Sequence, residues 1–486
     1  MGTSSDRALE QPSGKDVRLN RAILAVLALV LGLGLKTYLP ILPANPNAFG
    51  WEYGFIAQNL VEGRGFSGPF GPSAEPTAWM PPLFPLIVAA VFKAFGVFTP
   101  LSAQVLISMQ ALWVWMSLWL LLGLLKTRTQ RILMSAFFFF YLWLNWMTLL
   151  LEFHDIGFTM LLSVVALTAL KRLPEGARVL PIATAVVLPL SNPVLAIAYA
   201  LIAMFCRTKP KTVIAIWLAM LCSVSVWTVR NFEAMGVFVP LKSNLFFELY
   251  QANVADNDGV PTTTTFVLYH PVTGFDDVKR RYDSEGEVRF LSGYRTRFLS
   301  ALAKDPKTSL RKLLTRAFNA LVYLRPVNDL VWDYSQDFTQ PFLDKLVARR
   351  LICPRTSPLI WCCIDLSEAA FLREIQDFEY HEKERALSSR REAIKRLNRW
   401  DQSWKMRTWS LSHALIPFLA IVLGLSRGKS RDCPLFRKAC FLYLLLLAPY
   451  IVISHYMRYQ VPLMGLSALI LSLALAPDCE ERELGE

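Results

Sequence analysis

The feature that most constrains this chain is a series of long apolar stretches without internal charge. Several of them run for about 18 residues or more, which is long enough for an α-helix to cross a bilayer. Of the 486 residues, 54% are hydrophobic and only 18% are charged, whereas soluble proteins carry about a quarter charged residues. These properties exclude a soluble enzyme, a disordered scaffold and a disulfide-stapled secreted module. The sequence therefore predicts an all-α, polytopic membrane protein.

The apolar stretches predict about ten transmembrane helices. These cover residues 22–39, 101–125, 130–150, 156–170, 179–191, 193–206, 211–229, 408–426, 438–454 and 459–476. Asn192-Pro193 divides one long stretch into two arms, which predicts a tight hairpin. The first stretch follows a long polar leader without a small-x-small cleavage site, so we interpret it as a retained anchor.

The distribution of Lys and Arg predicts the orientation in the membrane. Residues 82–98 are apolar enough to cross but carry Lys93 near their middle. If this run lies along the interface instead, every basic loop falls on one side, which the positive-inside rule assigns to the cytoplasm. These loops are residues 126–131, 171–178, 207–211 and 427–438. Both termini are then cytoplasmic.

This topology divides the chain into five regions. They are a disordered tail (1–19), a transmembrane module that contains the first outer loop 40–100 (20–230), a large periplasmic loop (231–407), C-terminal transmembrane helices (408–477) and a cytoplasmic tail (478–486). Within the large loop, residues 312–327 and 357–372 are apolar but carry or adjoin charges, which predicts amphipathic helices lying on the membrane. Residues 382–404 are interpreted as a charged helix.

Other functional classes lack their sequence signals. The net charge of +13 would suggest a nucleic-acid partner in a soluble protein, but membrane proteins use Lys and Arg for orientation. No CxxC, HExxH, P-loop or dinucleotide-binding pattern occurs. The eight cysteines are too few and too scattered for a disulfide framework. We therefore expect no nucleic-acid partner, zinc finger or nucleotide site.

The first outer loop carries the densest chemical signal. Its apolar residues recur at the spacing of one helix face; they are Tyr53, Ile56, Ala57, Leu60 and Val61. Glu52, Asn59 and Glu62 lie on the opposite face, so a helix floating at the interface would hold Glu52 at the membrane surface. The competing interpretation is that Glu52 is one more solvated acid.

The second outer loop holds three ionisable residues between two apolar runs, namely Glu152, His154 and Asp155. Ionisable groups beside membrane spans are costly and are therefore functional candidates. For His154 an ordinary hydrated loop end explains the sequence better. Glu152 and Asp155 stay open between a functional and a structural role.

Three cations near the outer ends of spans oppose the inside bias, namely Arg230, Lys242 and Arg458. Guanidinium groups bind phosphate through paired hydrogen bonds, which makes an anionic lipid phosphate a suitable partner. The alternative is that these side chains extend to ordinary headgroups. His455 and Tyr459, which flank Arg458, are further site candidates, as are Tyr53 and Asn59.

Five segments together resemble the GT-C glycosyltransferases, most closely the bacterial relatives of protein O-mannosyltransferases and lipid A aminoarabinose transferases. They are residues 51–60, 63–67, 77–85, 227–231 and 458–462. The family pattern has an acid in the first outer loop, an amphipathic helix, a Pro-Pro-x-aromatic-Pro start to a juxtamembrane segment, and Arg-Asn and Arg-Tyr-x-x-Pro elements. Here these elements occur in the same order over nearly the whole chain.

The resemblance implies transfer of a sugar from a polyprenyl-phosphate donor to a glycan, glycolipid or protein on the periplasmic face of a bacterial inner membrane. By position, Glu52 is the catalytic carboxylate, although many members have Asp there. Glu152 or Asp155 is the assisting acid, and these three carboxylates are the candidate ligands if a divalent cation (Mg²⁺ or Mn²⁺) is used. Asn192 replaces the Arg that often precedes the proline of this hairpin in the family.

Two other functions fit parts of the sequence. A transporter or flippase of lipid-linked sugars predicts charges buried within spans and pseudo-symmetric halves, and the sequence shows neither clearly. A transferase of the O-antigen polymerase or ligase type also has a large outer loop, but it relies on paired arginines rather than a first-loop acid. The sequence does not name the sugar or the acceptor.

Overall fold

The protein is described by a computed structural model over most of its length. The described residues are 14–38, 49–150, 153–206, 208–255, 259–260, 269–271, 276–322, 331–332, 345, 360–361, 372–373, 375–388, 408, 411–454 and 457–477. α-Helices dominate these residues, and the strands among them are two residues long.

The helices are numbered here in chain order. The N-terminal half contains α1 (Gly14–Tyr38), α2 (Glu52–Val61), α3 (Leu83–Phe95), α4 (Pro100–Leu124), α5 (Arg128–Leu144), α6 (Trp146–Leu150), α7 (Ile156–Arg172), α8 (Val179–Ser191), α9 (Pro193–Phe205) and α10 (Pro210–Met235). The remainder contains α11 (Leu245–Tyr250), α12 (Asp276–Lys304), α13 (Pro306–Val322), α14 (Ile416–Ser426), α15 (Gly428–Arg431), α16 (Pro434–Ile453) and α17 (Met464–Leu475). A π-helical turn (Leu411–Leu415) precedes α14, and a 3₁₀ helix (Met457–Leu463) precedes α17.

The protein is an α-helical membrane protein. Among the described residues, four helical segments are long and apolar enough to cross a bilayer, namely Asp16–Thr37, Pro100–Leu124, Pro210–Met235 and Pro434–Ile453. Five shorter apolar helices in the same part of the chain lie at 83–95, 179–191, 193–205, 411–426 and 459–475. Every one of the ten predicted runs contains a helix, because each run carries enough apolar side chains to favour a backbone that bonds within itself.

The helix boundaries follow from capping side chains. Thr99 accepts a hydrogen bond from the backbone of Ser102, Ser102 accepts one from the backbone of Thr99, and Pro100 occupies the first turn of α4. At the predicted hairpin, the Asn192 side chain accepts a hydrogen bond from Leu195 N at 3.1 Å and begins α9. The predicted hairpin between α8 and α9 is therefore confirmed.

The ambiguous run at 82–98 forms α3, which has 13 residues. A helix of that length is about 20 Å long, whereas the hydrocarbon core is about 30 Å thick. α3 packs along α2 rather than standing alone. The interfacial position of residues 82–98 stays a prediction, because α8 and α9 also have 13 residues and are among the predicted spans.

The described part of the large outer loop contains predicted helices and also a short β-ladder that was not predicted. α13 covers most of the predicted helix at 312–327, and a helix at residues 380–388 covers the start of the predicted charged helix. The prediction for 357–372 is wrong at Ile360–Trp361, which pairs with Val331–Trp332 as a two-residue antiparallel ladder. β-Branched and aromatic side chains favour strands, and this preference outweighed the apolar pattern there. Residues 389–404 lie outside the described residues.

Candidate active site in the first outer loop

Glu52 is the first residue of α2, at the end of a sharp turn. Gly50 and Trp51 both have positive φ angles, 79° and 47°, and Tyr53 N donates to Gly50 O at 2.9 Å. A positive φ is strained for Trp and persists only where surrounding contacts hold it. The turn places the carboxylate at a helix N-terminus, where the helix dipole stabilises negative charge.

Glu52 lies beside a histidine that the sequence analysis did not single out. His270 Nε2 is 3.5 Å from Glu52 Oε1, and the side chains are only 4% and 13% exposed, respectively. This distance brings the edge of the imidazole ring into contact with the carboxylate. Because His270 belongs to the large loop, no local spacing in the sequence could have indicated this contact.

Aromatic rings surround His270. The imidazole centroid lies 5.3 Å from that of Phe70, 5.5 Å from that of Trp79 and 5.6 Å from that of Phe247. Two of these rings come from the first outer loop and the third from α11. Since three rings pack against it, the imidazole is restricted in orientation and keeps its edge close to Glu52.

Asn59 organises the Gly- and Pro-rich part of the first outer loop. Its fully buried amide nitrogen faces the carbonyl oxygens of Ser67, Gly68 and Gly71 at 2.9–3.1 Å. Its amide oxygen accepts from Arg64 Nε at 2.6 Å and from Ser73 N at 3.2 Å. Asn59, predicted as a site candidate, thus contacts its own loop and fixes the path of that loop.

Substitution of Asn59 by Ala should destabilise the protein by about 3 kcal/mol, because buried carbonyl and amide groups lose their partners. Thermal unfolding in detergent and hydrogen exchange of residues 63–77 would measure the loss. Gln58→Ala is the matched control, since the Gln58 side chain donates to the exposed Glu62 at the surface. Equal unfolding temperatures for the two variants would show that Asn59 does not support the loop.

Arg230 of α10 forms hydrogen bonds with the backbone of the first outer loop. Its guanidinium donates to Thr77 O at 2.8 Å and to Phe66 O at 2.6 Å. It also stacks on the rings of Phe66 and Trp227, 5.2 Å and 5.0 Å from their centroids. The residue predicted to bind donor phosphate is therefore engaged by backbone carbonyls, and any phosphate contact would have to share this guanidinium.

A buried carboxylate that the sequence analysis did not predict, Glu287, forms hydrogen bonds with the same loop. It accepts hydrogen bonds from Thr77 Oγ1, from Ala78 N at 2.9 Å, from Ser243 Oγ at 2.7 Å and from Tyr282 OH at 2.9 Å. Burial raises the pKa of the Glu287 carboxyl above its ordinary value, although all four hydrogen bonds act in the opposite direction. The carboxylate joins α12, the segment before α11 and the first outer loop.

The second outer loop packs against the turn before Glu52. Phe153 stacks on Phe84 of α3, with ring centroids 5.1 Å apart, and the Tyr53 ring lies 4.7 Å from that of Phe84. Asp155, two residues after Phe153, precedes α7 and makes no capping hydrogen bond through its side chain. The structure thus brings the predicted Asp155 segment towards α2, while Glu152 lies outside the described residues.

The remaining candidates are dispersed. Lys242 is exposed, and His154 is buried with its backbone N–H directed at Gln110. Tyr459 stacks on Tyr450, with centroids 4.4 Å apart. The Arg458 backbone belongs to the 3₁₀ helix before α17, but its side chain and all of His455 lie outside the described part of the chain.

No metal cluster is formed within the described residues. Among them, no group of three or more His, Cys, Asp or Glu side chains is arranged to hold a metal ion. Glu152, one of the three carboxylates suggested as cation ligands, is not among these residues. Within the described residues, the candidate site consists of the contact between Glu52 and His270 and of the hydrogen bonds by which Asn59, Arg230 and Glu287 hold its loop.

No protein-family model matches the chain, and neither the curated proteins nor the solved structures include a significant match. The fold defines the class of the molecule as an α-helical membrane protein.

Proposed function

We propose that this protein is an integral membrane glycosyltransferase that uses a polyprenyl-phosphate-linked sugar donor. The acceptor is a glycan, glycolipid or protein on the periplasmic face of a bacterial inner membrane. The observation that carries the proposal is the contact between Glu52 and His270, which provides a mostly buried, oriented carboxylate at the position where GT-C-like sequences have their catalytic acid.

In the proposed reaction, Glu52 removes the proton from the acceptor hydroxyl as that oxygen attacks the anomeric carbon. The bond between the anomeric carbon and the phosphate oxygen breaks, and polyprenyl phosphate leaves with the bonding electrons. Attack opposite the leaving group inverts the configuration. The start of α2 and the contact with His270 position the Glu52 carboxylate for this step.

The clamps on the first outer loop support this chemistry by positioning it. A catalytic group must be held close to its productive geometry by locked neighbours. Asn59 fixes the loop internally, while Arg230 and Glu287 fix it to α10 and α12. Asp155 follows the segment that packs against α2 and remains the candidate assisting acid.

Purified protein should release free polyprenyl phosphate when it is given a panel of polyprenyl-phosphate sugars and a membrane glycan extract. Release that depends on the extract would support a transferase. Binding of the lipid without release would instead favour a transporter of lipid-linked sugars, and absence of both would overturn the proposal.

Arg458 is the proposed partner of the departing phosphate, with Lys242 as a second cation. Removal of one preorganised donor to developing negative charge costs about 10²–10³-fold in turnover. We expect Arg458→Ala to lower donor turnover by about that factor. The exposed Arg437, at the start of α16, provides the control variant Arg437→Ala. Unchanged kcat and KM for the donor would remove Arg458 from the site.

The proposal also includes ten spans with both termini in the cytoplasm. α8 and α9 have 13 residues each and are shorter than the hydrocarbon core, so their crossing requires local thinning of the bilayer. Cys433, in the basic loop before α16, is disulfide-bonded, a state more typical of oxidising compartments. Cysteine labelling from either side of the membrane measures the orientation directly.

We expect an impermeant maleimide to label Lys242→Cys in intact cells and Lys429→Cys only after permeabilisation. The charge bias of four basic loops is the physical reason, because positively charged loops are retained in the cytoplasm. Both residues are exposed, and the wild-type chain gives the background from its own cysteines. Labelling of Lys429→Cys in intact cells would reverse the proposed orientation.

A further inference from the structure

The helix α13 has its polar and apolar faces reversed relative to a helix in water. Lys312, Arg316 and Asn319 are buried, with Arg316 only 1% exposed. Leu310, Leu314 and Phe318 follow each other at intervals of four residues on the outer face and are 56%, 60% and 53% exposed. A helix of a soluble protein turns its apolar stripe to the core instead.

The inward-facing charges fasten α13 to the end of a candidate membrane span. Arg316 donates to Ile451 O at 2.7 Å and to Val452 O at 3.1 Å, two carbonyls in the last turn of α16. The same guanidinium donates to Ala252 O and Gly259 O at 3.0 Å. Since α16 is long and apolar enough to cross a bilayer, α13 is held where a span leaves the hydrocarbon.

Two exposed cations border the apolar row. Lys307 and Arg311 are four residues apart, and both project from the same face as Leu310 and Leu314. No acidic residue occurs in α13. The preceding Asp305 is engaged locally, because its carboxylate accepts from Thr308 N at 3.0 Å. The outer face of α13 is thus both apolar and positively charged.

We propose that this face, defined by Lys307, Leu310, Arg311, Leu314 and Phe318, binds anionic phospholipid. Acyl chains would pack on the leucines and the phenylalanine, and the lipid phosphates would pair with Lys307 and Arg311. A helix in the plane of the interface that carries apolar and basic residues has this preference. Each cation near an anionic surface contributes about fivefold in affinity. This surface is independent of the catalytic proposal.

The neighbouring end of α12 continues the same surface chemistry. Arg295, Leu299 and Leu302 occupy positions i, i+4 and i+7, and all three are exposed. The Arg295 guanidinium lies over the ring of Phe246, 5.2 Å from its centroid. The end of the helix that precedes α13 thus also combines exposed apolar and basic side chains.

Charge removal tests the headgroup preference. In nanodiscs containing phosphatidylcholine and phosphatidylglycerol, native mass spectrometry should show phosphatidylglycerol enriched on the wild-type protein. We expect Lys307→Gln/Arg311→Gln to reduce this enrichment by about 25-fold, at fivefold for each cation. Arg289→Gln/Arg297→Gln is the control, because it removes the same charge from exposed positions outside the apolar row. Equal enrichment in both double variants would overturn the proposal.

Depth provides a second, charge-independent measurement. A fluorophore on Leu314→Cys should be quenched by lipids that carry a spin label near the glycerol backbone, whereas one on the exposed polar Thr296→Cys should be quenched much less. Strong quenching at position 314 supports a lipid-covered surface. Equal, weak quenching at both positions would exclude lipid there and indicate an acidic protein or glycan as the partner instead.

Discussion

Replacement of Glu52 by Gln should lower sugar transfer by about 10²–10⁴-fold, the usual contribution of a general base. The amide has the shape of the carboxylate and can still meet His270, but it does not accept the acceptor's proton. The folded structure should therefore be retained, and the loss should fall on kcat. The measurement is the rate of polyprenyl phosphate release by purified protein, together with its unfolding temperature.

Glu62→Gln is the matched control for this experiment. Glu62 directly follows α2, is exposed, and pairs with Gln58 and Arg64 at the surface. Its replacement should leave turnover within about twofold, because surface ion pairs contribute little. Turnover of Glu52→Gln close to that of the wild type would remove Glu52 as the base while leaving the transferase proposal open.

His270→Gln separates positioning from proton transfer. The amide can still donate to Glu52 but lacks the ring that packs against Phe70, Trp79 and Phe247. The Glu52 carboxylate is then less well positioned, so kcat should fall by about tenfold while the donor KM stays unchanged. A parallel loss of donor binding would instead show that His270 supports the structure of the loop.

Substitution of Glu287 by Ala should lower the free energy of unfolding by about 3–5 kcal/mol, because several buried donors lose a shared acceptor. Ala78 N, Ser243 Oγ and the Tyr282 hydroxyl all donate to this carboxylate. The first outer loop would then lose its tie to α12. Hydrogen exchange of residues 66–78 and thermal unfolding would report the change.

The control for Glu287 lies two residues earlier in the chain. Glu285 forms a partly exposed ion pair with Arg281 at 3.2 Å, so Glu285→Ala should cost less than about 1 kcal/mol. Similar losses for the two variants would contradict a special role for the buried carboxylate.

Glu287 should also make stability depend on pH in a defined direction. Burial raises its pKa in the folded protein, so above the unfolded pKa of about 4.5 the unfolded chain releases a proton that the folded protein retains. The free energy of unfolding then falls as pH rises from about 4.5 towards the folded pKa, and levels off above it. Glu287→Gln lacks this contribution.

The measurement is the difference in unfolding temperature between wild type and Glu287→Gln across pH 4 to 8. We expect the wild type to lose stability relative to the variant as pH rises, since the other titrating groups cancel in the comparison. A difference that does not change with pH would show that the folded and unfolded carboxyls have the same pKa.

The sequence by itself determined the helices and much of their placement. The apolar runs predicted ten helical stretches, and each of them contains a helix in the structure. The amphipathic pattern after Trp51 likewise predicted α2. Helix formation in an apolar environment is a local property, because every backbone hydrogen bond is made within the segment. The failure at Ile360–Trp361 fits this rule, since strand pairing depends on a partner about 30 residues away in the chain.

Only the tertiary structure decided what surrounds the predicted acid. Glu52 was predicted from the residue pattern of its own helix. Its partner His270, and Glu287, which bonds to the first outer loop, both belong to the large outer loop. Thr77 and Glu287 are 210 residues apart in sequence, and no periodicity links positions so distant. Arg230 likewise was selected for its charge, whereas its partners are carbonyls that folding brings to it. The sequence states which chemical group each side chain carries, but the partner of each group depends on how the loops pack.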